Sequence, residues 1–313
     1  MKKHIWAICF TSALIAFTTY IALDTFVLSK SYNENANGMN TSMFSAQTET
    51  QTETQTEDVQ ETGETVQEQS AAVSNESAYK DENISITLTE YEQYGTTIYV
   101  ADVELSSTLY LKTAFANDTY GKNVTAATST IAEANNAILA INGDYYGAQE
   151  KGYVIRNGIV YRSSAKGAQI LCIYADGTMK IINDRDYTAD ELVGMGVWQA
   201  FSFGPGLVEN GSVSVDENDE VGRAKASNPR TAIGMIDANH FVFVVSDGRT
   251  NESEGLSLYE LAEFMRGLGV KEAYNLDGGG SSTMVFNGIV INNPTSGGRI
   301  KERGVSDIVY IGN

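Results

Sequence analysis

Hydrophobic and polar positions divide the chain into three unlike stretches. Ile5 to Leu23 is an uncharged, largely apolar run behind Lys2 and Lys3. Such a run is close to the ~20 residues that a helix needs to cross the hydrocarbon core of a membrane. With the basic residues retained inside, residues 1–30 are expected to be an N-terminal transmembrane helix, a single-pass membrane anchor that leaves the rest of the chain extracytoplasmic. Cleavage as a secretory signal, which would release the protein, is the alternative. Residues 31–83 then carry 11 Asp and Glu against one Lys, and Thr48 to Asp58 reads TETQTETQTED. A segment so polar cannot bury enough apolar surface to offset its ordering entropy, so a disordered acidic linker is expected.

From Ile84 onward the pattern changes. ISITLTEY and TTIYVADVEL alternate apolar and polar positions at period two, the signature of half-buried strands. Asn157-Gly158 lies between two alternating runs and predicts a tight hairpin, and Asp176-Gly177 repeats that logic. NAILAING, TAIGMID, HFVFVVSD, EAYNLDG and VSDIVYIG read as further strands. Helical signals are fewer: TAATSTIAEANN, TADELVGMG behind a Thr188 cap with Glu191 three residues on, and the amphipathic LSLYELAEFMRGLG that ends at Gly269. Residues 84–313 are therefore expected to form one α+β domain, a mixed β-sheet with few helices.

Charge and composition narrow the chemistry. A net charge of −19 argues against nucleic acid, because phosphate contacts need clustered Lys and Arg. Of the two histidines, His4 sits at the N-terminus, so a multi-histidine metal site is excluded and a Ser–His–Asp triad would have to use His240. His240 reads as an ordinary turn residue. Cys9 and Cys172 offer no disulfide framework, and Cys172 reads as a buried strand residue. Carboxylates, hydroxyls, arginines and amides remain, with Ca²⁺ or Mg²⁺ as the cations that such oxygen donors suit.

Four segments share one design, an apolar strand beside a polar cluster with glycine: Asn142 to Gly147, Asn228 to Gly234, Ser246 to Thr250 and Asn275 to Met284. Asp277-Gly278-Gly279-Gly280-Ser281-Ser282 is the sharpest. Three glycines in a row point to close backbone approach or positive φ, and successive N–H groups there can form an anion nest. Asn142 and Asp144, two apart, are expected to face one side, with Tyr145 beside them. Arg230 suits bidentate binding of phosphate or carboxylate. Asp247 and Arg249 straddle Gly248 as an ion pair or a site pair. Asp144, Asp247 and Asp277 supply carboxylates, and Asp144 and Asp277 are the metal ligands if an ion is held. Arg230, Arg249 and the glycine loop supply the anion site. Trp198, Phe201 and Phe203 are expected in the core, with a sugar-stacking platform as the alternative.

In chain order, NGDYY (Asn142 to Tyr146), PRTAIG (Pro229 to Gly234), SDGR (Ser246 to Arg249), LDGGGSSTM (Leu276 to Met284) and RGVSD (Arg303 to Asp307) resemble the phosphodiester glycosidase family from about Ala137 to the C-terminus. The glycine–serine element is specific; NGDYY and SDGR are individually weak. Gly304 stands where the family often has proline, which bears on the rigidity of that loop. The resemblance implies hydrolysis of a sugar-1-phosphodiester in an extracytoplasmic glycan or wall polymer, such as an exopolysaccharide, releasing sugar and a phosphomonoester. Its motif positions fall on Asn142, Asp144, Arg230, Asp247, Arg249, Asp277, Gly278, Gly279, Ser281 and Ser282. The competing class is a non-catalytic cell-envelope module that binds polysaccharide or wall polymer.

Overall fold

The computed structural model describes residues 5–26, 30–31, 73–74, 77–216 and 227–313. The acidic linker expected over 31–83 lies outside these residues, apart from Ser31, 73–74 and 77–83. A helix, α1 (Ile5–Phe26), covers the apolar run. Among the described residues no helix is long and apolar enough to cross a membrane. The expected transmembrane span is not found.

Strands dominate the remainder, as the alternation predicts, and helices are few. They form three larger sheets, and every pairing between described strands is antiparallel. A nine-stranded sheet has at its centre the strands Glu272–Asn275, Arg230–Asp237, His240–Ser246 and Thr96–Leu105, in that order. A middle five-stranded sheet holds Val154–Arg156 and Val197–Phe201, and a C-terminal one holds Met284–Phe286, Leu139–Asn142 and Asp307–Ile311.

One hydrophobic core lies between these sheets, with Val103, Phe241 and Phe243 from the first, Phe201 from the second, and Ile141, Met284 and Val309 from the third. Val242 and Val244 point the other way, onto α4 (Leu258–Gly267). That explains the unbroken FVFVV: a strand covered on both faces needs no polar alternation. Two shorter helices cover the other sheets, α2 (Thr128–Ala134) the C-terminal one and α3 (Ala189–Gly194) the middle one.

The local signals hold. Asn157 and Gly158 both take positive φ (51° and 76°), as a two-residue hairpin between Val154–Arg156 and Ile159–Arg162 requires. Thr188 caps α3 through a capping box with Glu191, and Ser257 does the same for α4 with Glu260. Cys172 is fully buried, and Trp198 is buried with its indole N–H donating to the Leu111 carbonyl at 2.8 Å. His240 opens a strand, 2.9 Å from Asp102.

Candidate active site

Three neighbouring strands of the nine-stranded sheet end together. Arg230 starts its strand opposite Ser246, the last residue of the next, and Ala232 pairs with Asn275, the last of the third. Asn142 ends a strand of the C-terminal sheet and is fully buried. Its amide ties the two sheets, donating to the Asp277 carbonyl at 2.7 Å and accepting from the Thr231 hydroxyl at 2.8 Å. The loops that follow these strands therefore meet in one place, around Asp277.

Asp277 sits at the rim of the core, 8% exposed. Its Oδ2 accepts from the Ser281 hydroxyl and from Arg303 Nη2 at 2.8 Å. Arg303 Nε also donates to Ser281 at 3.0 Å, so the three side chains lock one another. Oδ1 has no side-chain partner among the described residues. Burial pushes the Asp277 carboxyl above its ordinary value, while Arg303 and the Ser281 hydroxyl oppose the shift. Tyr145, exposed and left-handed at φ 65°, places its ring 5.8 Å from the Arg303 guanidinium. Asp277, Arg303 and Tyr145 thus form a row from a shielded carboxylate to an open aromatic face.

The glycine run is explained by close approach to the protein's own chain. A Cβ on Gly278 would come within 2.9 Å of the Pro229 carbonyl oxygen, and one on Gly279, where φ is 62°, within 2.8 Å of Arg249 Nη2. The expected anion nest does not form, because the Gly279, Ser281 and Ser282 N–H groups donate to Pro229, Gly278 and Gly279 carbonyls. Positive charge comes from side chains instead. Arg249 is exposed and fixed by two bonds to Asn228 Oδ1, at 2.8 and 3.1 Å. With Arg299, Thr250 and Thr295 it lines a cavity of about 130 Å³ beside the loop.

Other expected site residues are placed elsewhere. Asp144 and Asn142 do not converge, because the strand ends at Asn142 and the period of two is lost. The Asp144 carboxylate, 1% exposed, accepts from Arg156 at 2.9 Å, the Ser202 N–H at 2.8 Å and the Tyr146 N–H at 3.2 Å. Arg156 also grips Asp307 at 2.8 Å, so a buried triad joins the middle and C-terminal sheets. Asp247 makes no ion pair with Arg249. It accepts from the Asn293 N–H at 2.8 Å and the Asn293 amide at 3.0 Å, pinning the loop that leads to Thr295. Arg230 is buried below Gly278, its Nε donating to the Leu256 carbonyl at 2.8 Å. The Ser282 hydroxyl is buried with no partner. Of the three candidate carboxylates, Asp277 is the one beside open arginines.

The paired metal ligands expected at Asp144 and Asp277 are not supported by the donors around them: each carboxylate is bound by an arginine, a poor neighbour for a cation. Among the described residues, the group of three acid or histidine donors close enough to hold an ion is Asp102, Glu104 and His240, away from the glycine loop.

Residues 135–312 match the phosphodiester glycosidase family. The chain belongs to that family. The SPbeta prophage-derived uncharacterized protein YomE of Bacillus subtilis is 30% identical over 188 residues, 58% of this chain and 29% of that protein. N-acetylglucosamine-1-phosphodiester alpha-N-acetylglucosaminidase of Mus musculus is 38% identical over 91 residues, 28% of this chain and 17% of that protein. The chain thus spans under a third of the length of either relative. The catalytic domain of the zebrafish N-acetylglucosamine-1-phosphodiester alpha-N-acetylglucosaminidase has the same fold, with a TM-score of 0.59 and 22% identity over 74% of this chain and 83% of that one. A hypothetical protein from Synechocystis follows at 0.57 and 15%, over 74% and 62%.

Within this phosphodiester glycosidase domain, reading the sequence missed Arg303 as a site residue, although RGVSD was in view. Nothing in the sequence tells that residue 303 folds back onto residue 277. It also missed Arg156, whose place between Asp144 and Asp307 depends on how two sheets meet.

Proposed function

We propose that the chain hydrolyses the glycosyl–phosphate bond of a sugar-1-phosphodiester, releasing the sugar and a phosphomonoester. The observation that carries this reading is Asp277, a shielded carboxylate with raised pKa, set in a glycine–serine loop between Arg303 and Arg249. In the reaction, water attacks the anomeric carbon, the bond from that carbon to the phosphate oxygen breaks, and the electron pair leaves with the phosphate. A phosphomonoester is a stable leaving anion, so one carboxylate suffices where ordinary glycoside hydrolysis uses two. Asp277 takes the proton of the attacking water, while Arg303 and Arg249 hold the phosphate as its charge grows. Tyr145 gives the sugar an aromatic face.

The name of the Mus musculus relative makes N-acetylglucosamine the first sugar to test. The uncharged run behind Lys2 and Lys3 fits export with cleavage of a secretory signal, and so action outside the cytoplasm on a glycan or wall polymer. The test is incubation with a panel of sugar-1-phosphodiesters, scoring free sugar and phosphomonoester together. Asp277→Asn keeps the shape of the side chain and removes its charge, so turnover should fall by roughly 10²–10⁴ with an unchanged circular dichroism spectrum. Polymer binding without sugar release from any diester would favour the envelope-module reading.

A further inference from the structure

A hairpin is seated against the glycine loop. Its strands Thr295–Ser296 and Arg299–Ile300 pair across Gly297-Gly298, both at positive φ (60° and 73°). The base of the hairpin is fixed. The Thr295 hydroxyl donates to the Gly248 carbonyl at 2.9 Å, and a Cβ on Gly280 would come within 3.1 Å of Ser296 Oγ. Its tip is open, and Arg299 and Ile300 are exposed. With Arg249 they line the cavity of about 130 Å³ beside the loop. That volume is well below the ~300–1,000 Å³ of small-molecule sites, so it admits an anionic group and not a sugar ring. Three arginines are thus carried by the segments around the glycine loop, and they differ in their partners. Arg303 is paired with Asp277, and Arg249 donates to the neutral Asn228 Oδ1. Among the described residues the Arg299 side chain makes no hydrogen bond or ion pair. Two uncompensated cations on one small cavity repel each other, in a chain whose net charge is −19. An anion held between them would remove that repulsion.

We infer that this cavity is a leaving-group subsite, in which Arg299 selects diesters whose alcohol carries a second phosphate. The inference rests on the proposed glycosidase reading and deepens it. Arg249 joins the two positions, because its Nη2 would meet a Cβ at Gly279 within 2.8 Å and its side chain lines the cavity. With the scissile phosphate at Arg303 and Arg249, the cavity receives the alcohol side of the diester. A guanidinium free of other partners offers a bidentate, charge-assisted fork to the second phosphate. Ile300, 67% exposed on the same wall, gives the stem of the alcohol an apolar contact. The phosphomonoester released from a preferred substrate is therefore itself a bisphosphate.

The experiment reads binding by the full chain, apart from turnover. The probes are propyl phosphate and 1,3-propanediol bisphosphate, which differ by the second phosphate alone and hold no glycosyl bond to cleave. Calorimetry at constant ionic strength should show tighter binding of the bisphosphate, by roughly three- to tenfold, the worth of one well-placed but solvent-exposed ion pair. Arg299→Gln should abolish that preference, and Arg299→Lys should keep part of it. Arg249→Gln should weaken both probes, since Arg249 borders both positions. Equal affinity for the two probes would overturn the inference, as would binding of neither. A preference that survives in Arg299→Gln would also overturn it, by assigning the effect to general charge. Sugar release from a panel of diesters is scored separately. Release without an Arg299-dependent preference would sink the subsite alone, and such a preference without release would sink the glycosidase reading alone.

Discussion

Asp277 and Arg303 show how two side chains set each other's chemistry. A carboxyl taken out of water tends to hold its proton, and the adjacent guanidinium works against that. The balance yields a base that ionises at a higher pH than an exposed aspartate and is more basic for it. Arg303→Gln removes the opposing charge, so the Asp277 pKa should rise further. Because the ionised form is the working one, the acidic limb of the pH–rate profile should move to higher pH. Arg303→Lys, which keeps a charge near Asp277 but loses the fork, should move it less. An unmoved limb in the Gln variant would show that Asp277 is not the group that titrates. The tight backbone packing beside Asp277 was legible in the sequence, because three glycines in a row imply close approach or positive φ. The fates of Asp144 and Asp247 were not. An Asp after a strand reads alike whether it faces a substrate or, as here, an Arg156 guanidinium and an Asn293 amide.

Elements were more legible than the contacts between them. Turns declare themselves through residues that tolerate positive φ, and helix starts through their caps, so Asn157-Gly158 and Thr188–Glu191 appear where the pattern puts them. How strands sort into sheets depends instead on long-range pairing, which period two leaves open, and an expected single sheet is three. The glycine loop is the element on which the site depends, and its tolerance is a direct test of its packing. Gly279→Ala must place a Cβ at φ 62°, costing about 1 kcal/mol or more, and press it against Arg249. Arg249 can swing away, so folding should persist with a small drop in melting temperature while substrate affinity falls. By contrast, Ser257→Ala removes one half of the α4 capping box and no charge. It should cost about 1 kcal/mol of stability by denaturant titration and leave turnover alone. If the glycine variant behaved like the cap variant, Arg249 would have no part in binding.

At the scale of the whole molecule, the sheets are joined by charge as well as by apolar packing. Asp144, Arg156 and Asp307 are each about 1% exposed or less, so one guanidinium must serve two carboxylates out of reach of water. Burial and the neighbouring Asp144, only partly offset by Arg156, push the Asp307 carboxyl up to about 7. Removing the cation by Arg156→Met should therefore destabilise the fold by roughly 3–5 kcal/mol, since both acids would be left buried and unpaired. The pH dependence follows from the direction of the Asp307 shift. Its pKa is higher folded than unfolded, so between about 4 and 7 the folded protein binds more protons than the unfolded chain. The stability that this group contributes is complete below its unfolded pKa and is lost as pH rises through its folded one, with a slope of up to about 1.4 kcal/mol per pH unit. Asp307→Asn imitates the protonated acid and cannot ionise, while its amide oxygen can still accept from Arg156. Denaturant midpoints measured from pH 5 to 8 should fall with rising pH more steeply for the parent than for the Asn variant, and the two curves should converge toward pH 5. Other raised acids, Glu272 among them, tilt both curves alike and cancel in the difference. Parallel curves would mean that Asp307 is ionised throughout, and that Arg156 neutralises both carboxylates after all.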